Sequence, residues 1–209
     1  MIMMNSIVDY LDELFPNPKC ELNYNKDYEL LIAVMLSAQT TDKRVNMVTC
    51  ELFSKYDNLN ALKDADVLDI IRIIKPIGTF NRKAICVKEI ANALIRDCNG
   101  LVPNDRKYLE SLPGVGRKTV NVVLSNLYSE NCIAVDTHVS RVSIRLGLAK
   151  KNDDVRIIEN KLTKKFPKDK LGRLHHQLVL FGRYKCKAIK PECLDCKLKE
   201  VCKYYKKNV

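Results

Sequence analysis

No stretch of this 209-residue chain approaches the roughly 18 uninterrupted apolar residues that a membrane-spanning helix needs. The N-terminal segment MIMMNSIVDYLDELF carries acids and no basic residue, the wrong charge for a secretory signal. A soluble, cytoplasmic protein is therefore expected. No segment alternates apolar and polar residues with period two, which argues against half-buried strands. No low-complexity linker marks a domain boundary. In a chain without an export signal the nine cysteines should stay reduced, so a disulfide framework is not expected either.

What is present is helical periodicity. Val67, Ile70, Ile71 and Ile74 follow the i, i+3, i+4, i+7 rule, as do Val87, Ile90, Ala91 and Leu94, and again Val120, Val123, Leu124 and Leu127. The spacing predicts an all-α protein of about ten short helices. Breaks fall at Pro16 and Pro18, Pro76 and Gly78, Gly100 and Pro103, Pro113 to Gly116, Gly147, Pro167 and Gly182.

The net charge is +11, with a pI near 9.2, and that favours an anionic partner, nucleic acid above all. The excess is uneven: from Arg183 to Val209 there are nine Lys/Arg against three Asp/Glu, so this segment holds +6 of the +11. A solvated basic tail would explain the charge alone. The cysteines within it argue for order. Cys186, Cys193, Cys196 and Cys202 have the spacing C-x6-C-x2-C-x5-C, whereas Cys20, Cys50, Cys86, Cys98 and Cys132 are scattered singly. Four thiolates so close in sequence suit either zinc or an iron-sulfur cube, although zinc knuckles usually pair two C-x2-C units.

The segment LPGVGRKTVNVVL (Leu112 to Leu124) puts Gly114 and Gly116 just ahead of an apolar repeat. Glycines permit positive φ and bring bare backbone N–H groups to the surface. The helix that starts near Arg117 adds its unpaired N–H groups and positive dipole end, which makes a place for a phosphate oxygen. An ordinary tight turn between helices would use the same residues. Lys118 sits in the first helical turn, where the dipole disfavours a cation and favours the neutral, nucleophilic amine. Eighteen residues on, IAVDTHVSRV places Asp136 at a helix start, a good N-cap position and a good place for a carboxylate that stabilises positive charge.

Together these pieces resemble the endonuclease III family of DNA glycosylases, the helix-hairpin-helix base-excision enzymes. The resemblance runs from ELLIAVMLSAQTTD (Glu29 to Asp42) through IGTFNRKA, LPGVGRKT and IAVDTH to Cys202. It implies two interleaved helical domains: a six-helix domain over residues 23–132 with the hairpin, and a second domain over 1–22 and 133–209 with a 4Fe-4S cluster. An extruded nucleotide would sit between them. The resemblance further implies Lys118 as nucleophile, Asp136 as catalytic aspartate, and Cys186, Cys193, Cys196 and Cys202 as cluster ligands. Gln39 matches a residue that fills the gap left by the flipped base, and DNA contacts are also expected at Gly114, Gly116, Thr119, His138, Lys187 and Lys190. Where the better-known bacterial members put a leucine wedge after Ile-Gly, this chain has Thr79.

The implied activity is removal of oxidised pyrimidines followed by β-elimination 3′ of the abasic site, by a monomer acting on double-stranded DNA at the nucleoid. An adenine-mismatch glycosylase of the same superfamily lacks the lysine, and a non-catalytic hairpin module would hold phosphate without nicking. His175 and His176 fit packing better than a ligand set.

Overall fold

The computed structural model describes residues 2–208. Among these, every regular element is helical, as the periodicity predicts. The helices are α1 (Ile2–Leu14), α2 (Asp27–Leu36), α3 (Asp42–Lys55), α4 (Leu59–Asp64), α5 (Val67–Ile74) and α6 (Phe80–Cys98). They continue with α7 (Arg106–Ser111), α8 (Arg117–Tyr128), α9 (Thr137–Leu146), α10 (Val155–Lys165), α11 (Leu171–Leu180) and α12 (Lys203–Asn208). One 3-10 turn (Lys168–Lys170) leads into α11, and a π-helical turn (Phe181–Lys185) follows it. The count exceeds the expected ten because α4, α7 and α12 span only six residues each, too few for a hydrophobic repeat to register. Among the described residues no helix is long and apolar enough to cross a membrane.

Short helices need their ends satisfied, because the first N–H groups have no partner inside the helix. Here Asx side chains supply many of them. Asn58 accepts from Ala61 N–H, Asp66 from Leu68 N–H, Asp105 from Lys107 and Tyr108 N–H, and Asp154 from Ile157 N–H. Each such cap contributes about 1 kcal/mol.

The chain divides into two compact units, one over Cys20–Tyr128 and one formed by the described residues of Met1–Lys19 and Ser129–Val209. In the first, called here the hairpin unit, α2 is the central helix: all its residues from Tyr28 to Leu36 are buried, and it packs against α3, α6 and α8. The inward face of α6 is Val87, Ile90, Ala91 and Leu94, as its spacing predicts. On α5 the buried side is Ile70, Ile73 and Ile74, one position round from the predicted stripe.

In the second, called here the cysteine unit, the core gathers Ile7 and Leu11 of α1, Val139, Val142 and Leu146 of α9, Leu174 and Leu178 of α11, and Phe181. Polar links join its distant chain segments: Gln177 Nε2 donates to Asp12 Oδ1 at 2.8 Å, and Lys197 Nζ pairs with Glu13 Oε1 at 2.6 Å.

Candidate active site

The hairpin is set by three buried anchors and one left-handed glycine. Leu112, Val115 and Val120 are in the core, and Val115 N–H donates back to Leu112 C=O at 3.1 Å to close the turn. Gly114 has φ +76°, and a Cβ there would stand 3.1 Å from Cys86 Sγ and 3.3 Å from Met35 Cγ. Only glycine fits this position without displacement. Gly116 differs from the sequence-based expectation. It is not among the glycines with positive φ, and a Cβ there would meet nothing within 4 Å. Its missing side chain leaves the backbone open to an approaching group.

Helix α8 starts at Arg117, with no acid in its first turn. The first bond tying its ladder to the hairpin runs from Val120 N–H to Gly116 C=O at 3.0 Å. The amides ahead of it lie in the turn where a helix has no internal acceptors and where its dipole is positive. Lys118 is exposed in that turn, anchored by the buried Val120, Val123 and Leu124 below it. Thr119 is turned inward at 9% exposure, so its side chain belongs to the packing of α8. Arg106 Nη1 donates to Asn121 Oδ1 at 2.8 Å, fixing α7 to α8 across the hairpin.

In the cysteine unit, the buried run Ile133, Ala134 and Val135 delivers Asp136 to the start of α9. Asp136 Oδ1 accepts from Val139 N–H at 2.7 Å, the N-cap contact its position predicts. Behind it, His175 is 5% exposed and its Nδ1 lies 2.9 Å from Ala134 C=O, bracing the segment two residues before the carboxylate. The rings of His175 and His176 are 5.0 Å apart, a packing pair. His138 is half-buried in the first turn of α9, and burial pushes its pKa down, with Asp136 opposing.

The four late cysteines line one pocket, walled by Leu146, Phe181, Pro191, Tyr204 and Tyr205. Burial pushes the Cys193 and Cys196 thiols up, and the neighbouring Cys186 and Cys202 add to this. Among the described residues, no three His, Cys, Asp or Glu side chains converge tightly enough for a single ion.

Two arginines four residues apart on α9 hold the first cysteine loop. Arg145 Nη1 donates to Cys186 C=O at 3.2 Å and Lys187 C=O at 2.6 Å, its Nη2 to Ala188 C=O at 3.0 Å, and its Nη1 reaches Cys186 Sγ at 3.4 Å. Its guanidinium lies 4.3 Å from the centre of the Tyr204 ring. Arg141 donates through Nη2 to Gly182 C=O at 2.7 Å and through Nε to Cys186 C=O at 3.3 Å. A Cβ on Gly182 would stand 2.8 Å from His138 Cβ, so glycine lets the π turn approach α9. The i, i+4 spacing of Arg141 and Arg145 is legible in sequence as one face. Their partners some 41 to 45 positions away are not.

Of the expected DNA-contacting lysines, Lys187 Nζ pairs with Glu192 Oε1 at 2.7 Å, while Lys190 is exposed with φ 50°. Gln39 and Thr79, both exposed in the hairpin unit, also have left-handed backbones, φ 57° and 56°. Thr79 turns its hydroxyl back onto Gly78 C=O at 2.7 Å.

Residues 32–168 match the model of the HhH-GPD superfamily of base excision DNA repair proteins. The endonuclease III of Rickettsia conorii is 47% identical over 207 residues, covering 97% of this chain and 98% of the relative. That of Bacillus subtilis is 43% identical, covering 94% and 90%. The chain belongs to the endonuclease III family. A solved endonuclease III trapped as a covalent intermediate with DNA superposes with a TM-score of 0.93 at 43% identity, covering 98% of this chain and 96% of that one. Membership in this family makes the protein a base-excision repair enzyme, a DNA glycosylase and AP lyase. The resemblance read from the sequence and its implied class of activity are borne out.

Proposed function

We propose that this enzyme removes oxidised pyrimidines from double-stranded DNA through Lys118 and nicks the strand by β-elimination. The observation that carries the reading is the exposed Lys118 on the first turn of a helix whose hairpin presents open backbone at Gly116. The covalent DNA intermediate of the related endonuclease III supports covalent catalysis here, and Lys118 is the nucleophile the hairpin offers.

In this mechanism the Gly116 backbone and the first amides of α8 bind a phosphate. The Lys118 amine attacks C1′ of the flipped nucleotide, the bond from C1′ to the base breaks, and the base leaves with that electron pair and takes up a proton. Asp136 stabilises the positive charge on the sugar as it develops. The nitrogen then gives up a proton and forms the C1′=N bond of an imine as the C1′–O4′ bond breaks and O4′ takes up a proton. The imine acidifies the C2′ proton, whose loss forms a C2′=C3′ double bond, expels the 3′ phosphate and nicks the strand. Gln39 occupies the space the base vacates, and His138 and the Lys190 loop contact the DNA backbone.

The four cysteines would hold a 4Fe-4S cluster. Tetrahedral zinc would need thiolates about 3.8 Å apart around one ion, from Zn–S bonds near 2.3 Å. Four thiols that line one pocket without converging on a single point suit a group with a volume of its own. Such a cluster, when bound, supplies structural order and charge compensation for its thiolates. The enzyme works as a monomer where its substrate is, at the nucleoid.

The test is single-turnover kinetics on a duplex with one oxidised pyrimidine. Lys118→Gln should abolish nicking while binding persists. Asp136→Asn should slow base release at least about a hundredfold, in the range of losing one electrostatic stabiliser. Normal nicking by Lys118→Gln would sink the proposal.

A further inference from the structure

Lys83 on α6 is a lysine at 6% exposure, in a position where a charge is costly unless satisfied. Its Nζ donates to Leu36 C=O at 2.8 Å and to Ala38 C=O at 2.7 Å. Leu36 is the last residue of α2, so the ammonium sits on carbonyls that a helix end leaves without partners, at its negative dipole end. The next residue after Ala38 is Gln39, with its left-handed backbone and exposed side chain. At its other end, Lys83 N–H donates to Thr79 C=O at 3.1 Å, the first bond of α6 behind a second left-handed non-glycine residue. Burial pushes the Lys83 pKa down, the expected strain on a desolvated ammonium.

A non-glycine residue in the left-handed region costs about 1 kcal/mol or more and persists only when its surroundings over-determine it. Two such residues, on two exposed turns, here share one buried lysine. We propose that Lys83 is a positioning residue for duplex opening: it fixes the Gln39 turn and the Thr79 turn in one rigid arrangement, so that Gln39 is already placed for the gap left by the flipped base. An apolar side chain of the same length would fill the space, take the charged donor from both carbonyls, and leave Ala38 C=O with only the Thr40 hydroxyl at 3.4 Å. The turn carrying Gln39 would then relax, and ordering it would be charged against every base-flipping event. This inference rests on the reading of Gln39 given above.

The test compares two duplexes, one with the lesion opposite its normal partner and one with it opposite an abasic nucleotide, where no pair has to be broken. The quantity read is the ratio of paired to unpaired cleavage rates, in which any unfolded fraction of protein cancels. For Lys83→Met the ratio should fall about tenfold, matching loss of the bonds from a charged donor. Lys83→Arg, which can donate to both carbonyls, should recover it to within about threefold. If Lys83→Met does not fold, Lys83→Gln is read in the same way, with an intermediate ratio expected. An unchanged ratio in the neutral variant, or no recovery with arginine, would overturn the role of Lys83. A Gln39→Ala ratio equal to that of the unaltered enzyme would instead remove the reading of Gln39 itself.

Discussion

The two units hold themselves together by different means. The hairpin unit is one continuous stretch, Cys20–Tyr128, built round a helix buried on nearly all sides, with its exposed turns tied down by caps and by Lys83. The cysteine unit joins two distant parts of the chain, and from Cys186 to Cys202 it contains no regular helix. That segment is held by Arg145 and Arg141 on α9, by the Lys197–Glu13 pair and by Leu198 in the core. Cys186, Cys196 and Cys202 are only partly buried against that core. Where apolar burial is ample, a strained turn can be sustained from within; where it is thin, order has to come from charged donors and from whatever the thiols bind.

Removing the cluster proposed for the four cysteines should give the sharpest separation of the two units. Cys196→Ser, or iron chelation of the native enzyme, should strip hydrogen-exchange protection from residues 186–208 while the amides of α2, α6 and α8 keep theirs. Affinity for lesion DNA should fall at least about tenfold, because ligand binding and local folding are coupled and the basic loop loses its shape. Equal loss of protection in both units would erase the distinction drawn here.

A smaller effect should separate the two hairpin glycines. Gly114→Ala puts a side chain at φ +76° and 3.1 Å from Cys86 Sγ, and should destabilise the protein by about 1–3 kcal/mol in thermal or denaturant unfolding. Gly116→Ala meets nothing within 4 Å, so it should leave stability nearly unchanged and weaken DNA binding. The opposite assignment would mean that Gly116 is the structural glycine.

The smallest effect belongs to the surface of the hairpin unit. Asp69 is bonded by Lys55 Nζ at 2.6 Å and Arg72 Nη1 at 2.9 Å, and by the Tyr56 hydroxyl. The Lys55 and Tyr56 bonds hold its carboxyl below the usual range, while burial and Asp69 push Tyr56 up to about 12. A carboxylate with a lowered folded pKa stabilises the fold above its ordinary value near 3.9 and ceases to do so as pH falls through the folded value. Asp69→Asn should therefore flatten the acid limb of the stability curve slightly. Because the Lys55 and Arg72 side chains are well exposed, added salt should blunt the difference.

Much of this was legible in the sequence where the signal is local. Pro113, Gly114 and the apolar repeat from Val120 mark the hairpin and the start of α8, and Asp136 reads as a cap because caps are short-range chemistry. The left-handed backbones of Gln39 and Thr79 left no mark, since neither is glycine or asparagine. Lys83 reads as one lysine among many; its burial depends on carbonyls 45 and 47 positions away. Arg145 is equally silent, because its partners lie in a loop that sequence patterning cannot fold. Which of the two hairpin glycines uses the positive φ open to both was not legible for a related reason: only the surrounding packing determines it.

The most direct test of the account is borohydride trapping during turnover on lesion-containing DNA, followed by proteolysis and mass mapping of the adduct. An imine between an amine and C1′ is reducible, so the expected result is a single nucleotide-bearing peptide with the DNA attached at Lys118, absent from Lys118→Gln. An adduct at another lysine or at the N-terminal amine, or undiminished trapping by Lys118→Gln, would contradict the assignment of the nucleophile to the hairpin.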